Sequence, residues 1–276
     1  MKRFKWLAVL MLSIAIAGCG TNGTNEATNN GGAAGAAETE TPAAANNDAA
    51  GASRTIEHAM GSVTLEKKPE RVVVLFNGMV DITAALGVKP VGAVESWDQK
   101  PWYEFLRDKM TGVENQPNIE AIIALKPDLI IGTKTRDEKI YPQLEAIAPT
   151  IITEEVFDWK ENMKLSAQAL YMEEEADKLL ADWEERVADF KQRAGDQLAS
   201  TEASVIRFEK DGSARFYATG FAGTIFKELG IGRPQAQMVE GKAVVNLTSK
   251  EQMEQLDGDY IFDITQIKED EPSDFF

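Results

Sequence analysis

Hydrophobic positions are spaced unevenly along the 276 residues, and the spacing divides the chain. Residues 71–76 (Arg-Val-Val-Val-Leu-Phe) are a continuous β-branched run, the mark of a strand buried on both faces of a parallel sheet. Residues 81–86 follow with helical spacing, Gly87 supplies a stop, and residues 90–94 read as another short buried strand. The order repeats: a helix over 119–125 ending before Lys126-Pro127, a strand over 128–132, a helix over 140–147 and a strand over 150–153. With a short strand at 63–65, this alternation predicts an α/β lobe with a parallel sheet over residues 54–157.

The pattern then changes. Residues 158–194 contain no Pro or Gly, and Met163, Ala167, Leu170, Ala176, Leu179, Leu180, Trp183, Val187 and Phe190 recur at helical spacing. One helix over 158–195 would run roughly 54 Å, longer than a lobe is wide, and so would span two lobes. Two helices broken near the acidic run at 173–175 are the alternative, and Gly195 ends the segment either way. Residues 196–276 read as a second lobe. It has a hairpin of strands 204–209 and 214–218 turning at Asp211-Gly212, and a helix over 221–229 closed by Gly230. A strand over 242–247, a helix capped by Ser249, and a last buried strand over 260–264 complete it. The predicted fold class is α/β, with two lobes built on central parallel sheets and joined by one long helix.

The N-terminus carries a different signal. Lys2, Arg3 and Lys5 precede an apolar run over 6–17 and small residues before Cys19, the layout of a secretory signal whose core is too short to span a membrane comfortably. Ile16-Ala-Gly-Cys19 resembles a bacterial lipobox, in which the Cys is diacylated and becomes the first mature residue. Residues 20–53 are almost wholly Ala, Gly, Asn and Thr, too polar to offset their own ordering entropy, and read as a flexible tether.

Composition narrows the chemistry. A single Cys excludes an intrachain disulfide, and one Cys with one His cannot build a zinc or iron–sulfur cluster. The net charge is −16, and −15 for residues 54–276, which argues against nucleic acid as a partner. An anionic ligand would bind only through a local basic cluster. Arg207 and Arg215, on paired strands, with Tyr217 two residues along on the same face, form such a cluster; a solvated strand face with salt bridges is the alternative.

Several stretches carry a family resemblance. Lys68-Pro-Glu-Arg-Val-Val-Val-Leu75, Ala85-Leu-Gly-Val-Lys-Pro-Val-Gly-Ala93 and Asn118-Ile-Glu-Ala-Ile-Ile-Ala-Leu-Lys-Pro-Asp-Leu-Ile-Ile131 resemble the ferric-siderophore-binding lipoproteins of ABC importers. Val205-Ile-Arg-Phe208, Arg215-Phe-Tyr217, Phe221-Ala-Gly-Thr-Ile225 and Leu229-Gly-Ile-Gly-Arg-Pro234 are similar to the hydroxamate and citrate-hydroxamate binders of that group. The resemblance implies a monomer, held by lipid on Cys19 at the extracellular face of the cytoplasmic membrane of a Gram-positive cell. Its ligand would be a ferric siderophore, its partner a permease, and it would be no enzyme. Such a ligand brings its own oxygen donors to iron, so no metal-ligating residues are required.

In that light Asn77 and Gly78, after the first long strand, Trp97 and Trp102, after the strand at 90–94, and Arg136, after the strand at 128–132, are further ligand-contact candidates. Glu120 and Glu251, one per lobe at first-turn positions, match carboxylates that this family pairs with permease arginines; a helix-dipole partner explains each equally well. Arg233, before Pro234, reads as structural, and the lone His58 as a surface residue. Heme or cobalamin is the alternative cargo, with Met79 a conceivable axial ligand. An anchored hydrolase is disfavoured by the lack of a Gly-x-Ser-x-Gly element. The family continues past residues 260–264 with a further strand and helix, so the second lobe is expected to be cut short.

Overall fold

The computed structural model describes residues 53–94, 112–113 and 116–265. The signal, Cys19, the tether up to residue 52, Trp97, Trp102 and the acidic stretch 266–276 lie outside the described residues.

The first lobe opens with an antiparallel hairpin, β1 (Arg54–His58) and β2 (Gly61–Leu65). There follow β3 (Val72–Val74), α1 (Asn77–Ala85), β4 (Gly92–Ala93), the small pair β5 (Gly112–Val113) and β6 (Gln116–Pro117), α2 (Ile119–Leu125) and β7 (Leu129–Thr133). The lobe continues with α3 (Lys134–Asp137), α4 (Tyr141–Glu145) and β8 (Thr150–Thr153). Strands β4-β3-β7-β8 make one wholly parallel sheet. Alternate residues of each strand feed its two faces. Val72, Val74, Ile131 and Ile151 pack with Met79 and Ile82 of α1, whereas Val73, Leu75 and Ile130 pack with Ile122 and Leu144. Burying each such side chain contributes about 1.5–3 kcal/mol, which is why this run can only be a central strand.

Polar groups fix α2 and lock the amino edge of the sheet. Asn118 Oδ1 accepts from the Ala121 N–H (3.0 Å) and starts α2, and Lys126 ends it in the left-handed conformation (φ 48°). Asp128 then accepts from the Glu70 and Arg71 N–H groups, while the Arg71 guanidinium donates back to the Leu125 and Lys126 carbonyls.

The single helix expected over 158–195 is two helices. These are α5 (Trp159–Leu170) and α6 (Glu173–Ala194), separated by Tyr171 in the left-handed conformation (φ 58°). The Met172 N–H reaches back to the Ala167 carbonyl (2.9 Å) and closes α5. A non-glycine residue in that conformation costs about 1–2 kcal/mol. Arg54 offsets it: its guanidinium lies 3.5 Å from the Tyr171 ring centre, donates to the Gln168 carbonyl (2.8 Å) and pairs with Glu173. Glu173, Glu174 and Glu175 then suit the positive end of a new helix. It is α6 that carries the chain from the first lobe to the second. Its Ala176 and Leu180 join the first-lobe core. Further along, the Trp183 Nε1–H donates to Glu228 Oε2 (2.6 Å), an oxygen that also takes Lys160 Nζ of α5 at 2.8 Å.

The second lobe contains β9 (Ala203–Phe208), β10 (Ala214–Tyr217), α7 (Gly220–Leu229, which holds Glu228), β11 (Val244–Leu247), a 3₁₀ segment Lys250–Leu256 and β12 (Tyr260–Asp263). Its sheet, β11-β10-β9-β12, is mixed, not parallel as expected. The turn at Gly212 (φ 80°) is too tight for a crossover, so β10 must run antiparallel to β9; only β12 lies parallel to β9. Strand β12 also departs from the buried strand expected. It is an edge strand, with Tyr260 62% and Ile261 50% exposed, and among the described residues only β9 pairs with it.

Candidate functional site

Strand parity and register assemble a polar end on one face of the second sheet. Arg207 of β9 sits opposite Arg215 of β10, which sits opposite Asn246 of β11. Two residues toward the hairpin end come Glu209, Ser213 and Thr248; two residues the other way come Val205, Tyr217 and Val244. The apolar row is covered by Phe226 of α7, which packs with Val205 and Tyr217. The polar rows emerge beyond that helix and line a cavity of about 650 Å³.

The electrostatics of that cavity are unusual for so acidic a chain. Two guanidiniums face each other across paired strands, an arrangement that costs up to about 1 kcal/mol unless neutralised. Glu209 neutralises it in part: its Oε1 lies 3.2 Å from Arg207 Nε and 2.8 Å from Arg215 Nη2. Those Nε atoms and that oxygen are shut from solvent, and among the described residues none has an aligned hydrogen bond, so the contact is charge against charge. With Lys210 and Asp211 also in the lining, three cations face two carboxylates and leave an excess positive charge. The cavity therefore suits an anion presenting paired oxygens.

Of the predicted trio, Arg207 and Arg215 line the cavity and Tyr217 does not; its ring belongs to the apolar row, and its carbonyl accepts from Arg233 Nη2. Arg233 also donates to Gln237 Oε1 (3.2 Å) and lies over the Phe226 ring, a structural role as its sequence position suggested. Glu209, Asn246 and Thr248 were missed from sequence. The alternation around Arg207 contained Glu209, but only the β10–β11 register reveals the other two.

The first-lobe candidates lie at the carboxyl ends of its strands. Asn77 and Gly78 open α1 just after β3, with Asn77 half-buried, and Arg136 sits half-buried in α3 after β7. None of the three lines the second-lobe cavity. A larger hollow of about 850 Å³ runs beside α6 between α5 and α7, but its three lysines face four carboxylates and it contains none of the predicted residues.

Beside Arg136, Asp137 is fully buried. The Thr133 N–H donates to its Oδ2 (2.8 Å), whereas its Oδ1 has no hydrogen-bond partner among the described residues. Gly132 makes room: a Cβ there would lie 2.6 Å from Oδ2. Burial pushes the Asp137 carboxyl up to about 6, against the opposing pull of the Thr133 hydrogen bond and the Arg136 charge. A carboxyl raised on folding binds more protons in the native state between its two pKa values, so stability falls as pH rises from about 4 through 6. The cost of ionisation is about 3 kcal/mol. Urea melts at pH 4 and pH 7 should therefore differ less for Asp137→Asn than for the parent chain; parallel changes would refute this assignment.

Glu120 and Glu251 are both exposed first-turn carboxylates. Glu251 lies within the capping box of Ser249 and Gln252; its own N–H and the Ser249 hydroxyl hold its carboxyl below the ordinary value. Two expectations fail. His58 is half-buried, not a surface residue: its ring tilts against Tyr141 at 5.9 Å, and burial lowers its pKa against the pull of Glu145 and Glu57. Met79 is fully buried in the core, where its sulfur accepts from the Ser166 hydroxyl (3.0 Å), so it is not presented to any ligand. Among the described residues no three His, Cys, Asp or Glu side chains gather as a metal-holding group, and no helix is long and apolar enough to cross a membrane.

Comparison with known proteins agrees with this architecture. A model of the family described as periplasmic binding protein matches residues 72–275. The chain belongs to that family. It is 43% identical over 224 residues to the "Probable siderophore-binding lipoprotein YfiY" of Bacillus subtilis, across 77% of this chain and 69% of that one. It is 33% identical to the achromobactin-binding periplasmic protein of Dickeya dadantii, across 70% of this chain and 66% of that one. Among solved structures, Staphylococcus aureus SirA complexed with staphyloferrin B superposes with a TM-score of 0.69 at 42% identity, covering 78% of this chain and 77% of that one. The family is one of substrate-binding proteins, and the mixed α/β fold with helices on its sheets is theirs.

Proposed function

We propose that this chain is the extracytoplasmic substrate-binding lipoprotein of an ABC importer, capturing a ferric siderophore of the hydroxamate or citrate-hydroxamate type and delivering it to the permease. The observation that carries the reading is the Arg207–Arg215–Asn246 row, a cationic patch in a chain of net charge −16, placed on a fold shared with SirA. A ferric siderophore satisfies the iron itself, so its receptor needs fixed guanidinium forks for the complex's outer oxygens and flat apolar walls for its scaffold. Arg207 and Arg215 supply the forks. Asn77, Gly78 and Arg136 extend the contact from the first lobe, with Trp97 and Trp102 as walls. Lipid on Cys19 holds the protein as a monomer at the outer face of the membrane, Glu120 and Glu251 meet the permease, and no catalysis is involved.

The test is a titration of the purified chain with a panel of ferric hydroxamate, ferric citrate-hydroxamate and heme ligands, followed by tryptophan fluorescence. Saturable quenching by a hydroxamate-bearing complex is expected. A Soret band that co-purifies would move the reading to heme, and absence of quenching by every ferric siderophore would overturn it.

A further inference from the structure

Glu209 stands where an incoming anion would have to stand. Period-two spacing puts it on the same face as Arg207, and the hairpin register brings Arg215 beside both, so one carboxylate oxygen serves two guanidiniums at 3.2 and 2.8 Å. All three side chains are partly open to the cavity, at 24–32% exposure, yet Arg207 Nε and the shared Glu209 oxygen are sealed from water and make no aligned hydrogen bond among the described residues. An ion pair of that kind is held by charge alone and is weaker than a bidentate fork. A bidentate external carboxylate could replace it, with Asn246 and Thr248 supplying neutral donors around the same cavity.

We propose that Glu209 is a specificity-determining residue: an internal counter-ion that occupies the arginine pair in the empty site and must be displaced by the ligand. This rests on reading the cavity as the anion-recognising half of the siderophore site. The consequence is selection by charge. A ligand with one carboxylate merely exchanges one anion for another at the pair. One with several carboxylates engages both guanidiniums and overcomes the residual repulsion from Glu209, which a neutral complex has no means to do.

Calorimetric titration with citrate alone, without iron, tests the proposal on the full chain. Glu209→Gln should bind citrate about tenfold more tightly than the parent, through charge-assisted hydrogen bonds no longer contested by Glu209. The gain should shrink with added salt and vanish when Arg215→Ala is combined with Glu209→Gln. Glu209→Asp, which keeps the charge but shortens its reach, should fall between, and its melting curve shows whether the hairpin end stays folded. Equal or weaker citrate binding by Glu209→Gln, or no citrate binding by any of these proteins, would overturn the proposal and make Glu209 a support for the arginines. Failure of ferric siderophores to bind, with the citrate result intact, would refute the functional reading and leave this inference standing.

Discussion

Replacing Arg207 and Arg215 together by alanine is expected to weaken binding of a ferric citrate-hydroxamate complex by a factor of about one hundred to ten thousand. Each guanidinium supplies charge-assisted hydrogen bonds of about 1.5–3 kcal/mol, and both act on the same ligand. The loss is aggravated by what remains: Glu209 keeps its charge without a partner from this pair and turns the cavity from attractive to repulsive. Fluorescence titration of the double variant checks this directly. Both arginines are on a partly open face, not in the core, so the melting temperature should change little. Affinity within threefold of the parent would reduce the pair to the salt-bridged strand face that was its alternative reading.

Phe216→Ala should produce the largest loss of stability. Phe216 is fully buried on the opposite face of β10 from Arg215, within a small cluster of Ile206, Ala214, Ala218, Leu247 and Leu256. Truncating a buried phenylalanine costs about 3–5 kcal/mol, because transfer energy is lost and a cavity is left. A lobe with so few large buried side chains has little means of closing that cavity. A drop of the urea midpoint by that amount is expected. Ligand binding should fall with it, since the same strand carries the site. A loss under about 1 kcal/mol would mean the second lobe does not depend on this cluster.

Much of the first lobe was legible because its signals are local. The run at 71–76, the helix at 119–125 and the strand at 150–153 each carry their own hydrophobic period and their own stop, and α2 and β8 begin and end at the predicted residues. The hairpin at Asp211-Gly212 was legible for the same reason, and with it the Arg207–Arg215 pairing. What escaped depends on distant contacts. The break at Tyr171 stood only as the alternative near the acidic run 173–175; it is held by Arg54 and Glu173, and nothing in residues 158–194 foretells an arginine from β1 stacking on that ring. The hairpin fixed β9 and β10 as antiparallel, but the direction of β11 escaped, because a buried apolar run looks alike in parallel and antiparallel sheets. Asn246 and Thr248 escaped because their place depends on how β11 registers with β10, two strands separated by a helix and a long connection. His58 was read as a surface residue because it is a lone His at the start of the folded part, and its contact with the Tyr141 ring lies more than eighty residues away in sequence.

The most direct measurement is equilibrium dialysis of the purified chain against a radio-iron-loaded citrate-hydroxamate siderophore. A single equivalent of iron retained per chain is expected, released on excess unlabelled complex and absent from the Arg207→Ala, Arg215→Ala double variant. No retention by the parent chain of any ferric siderophore, or full retention by the double variant, would contradict the account.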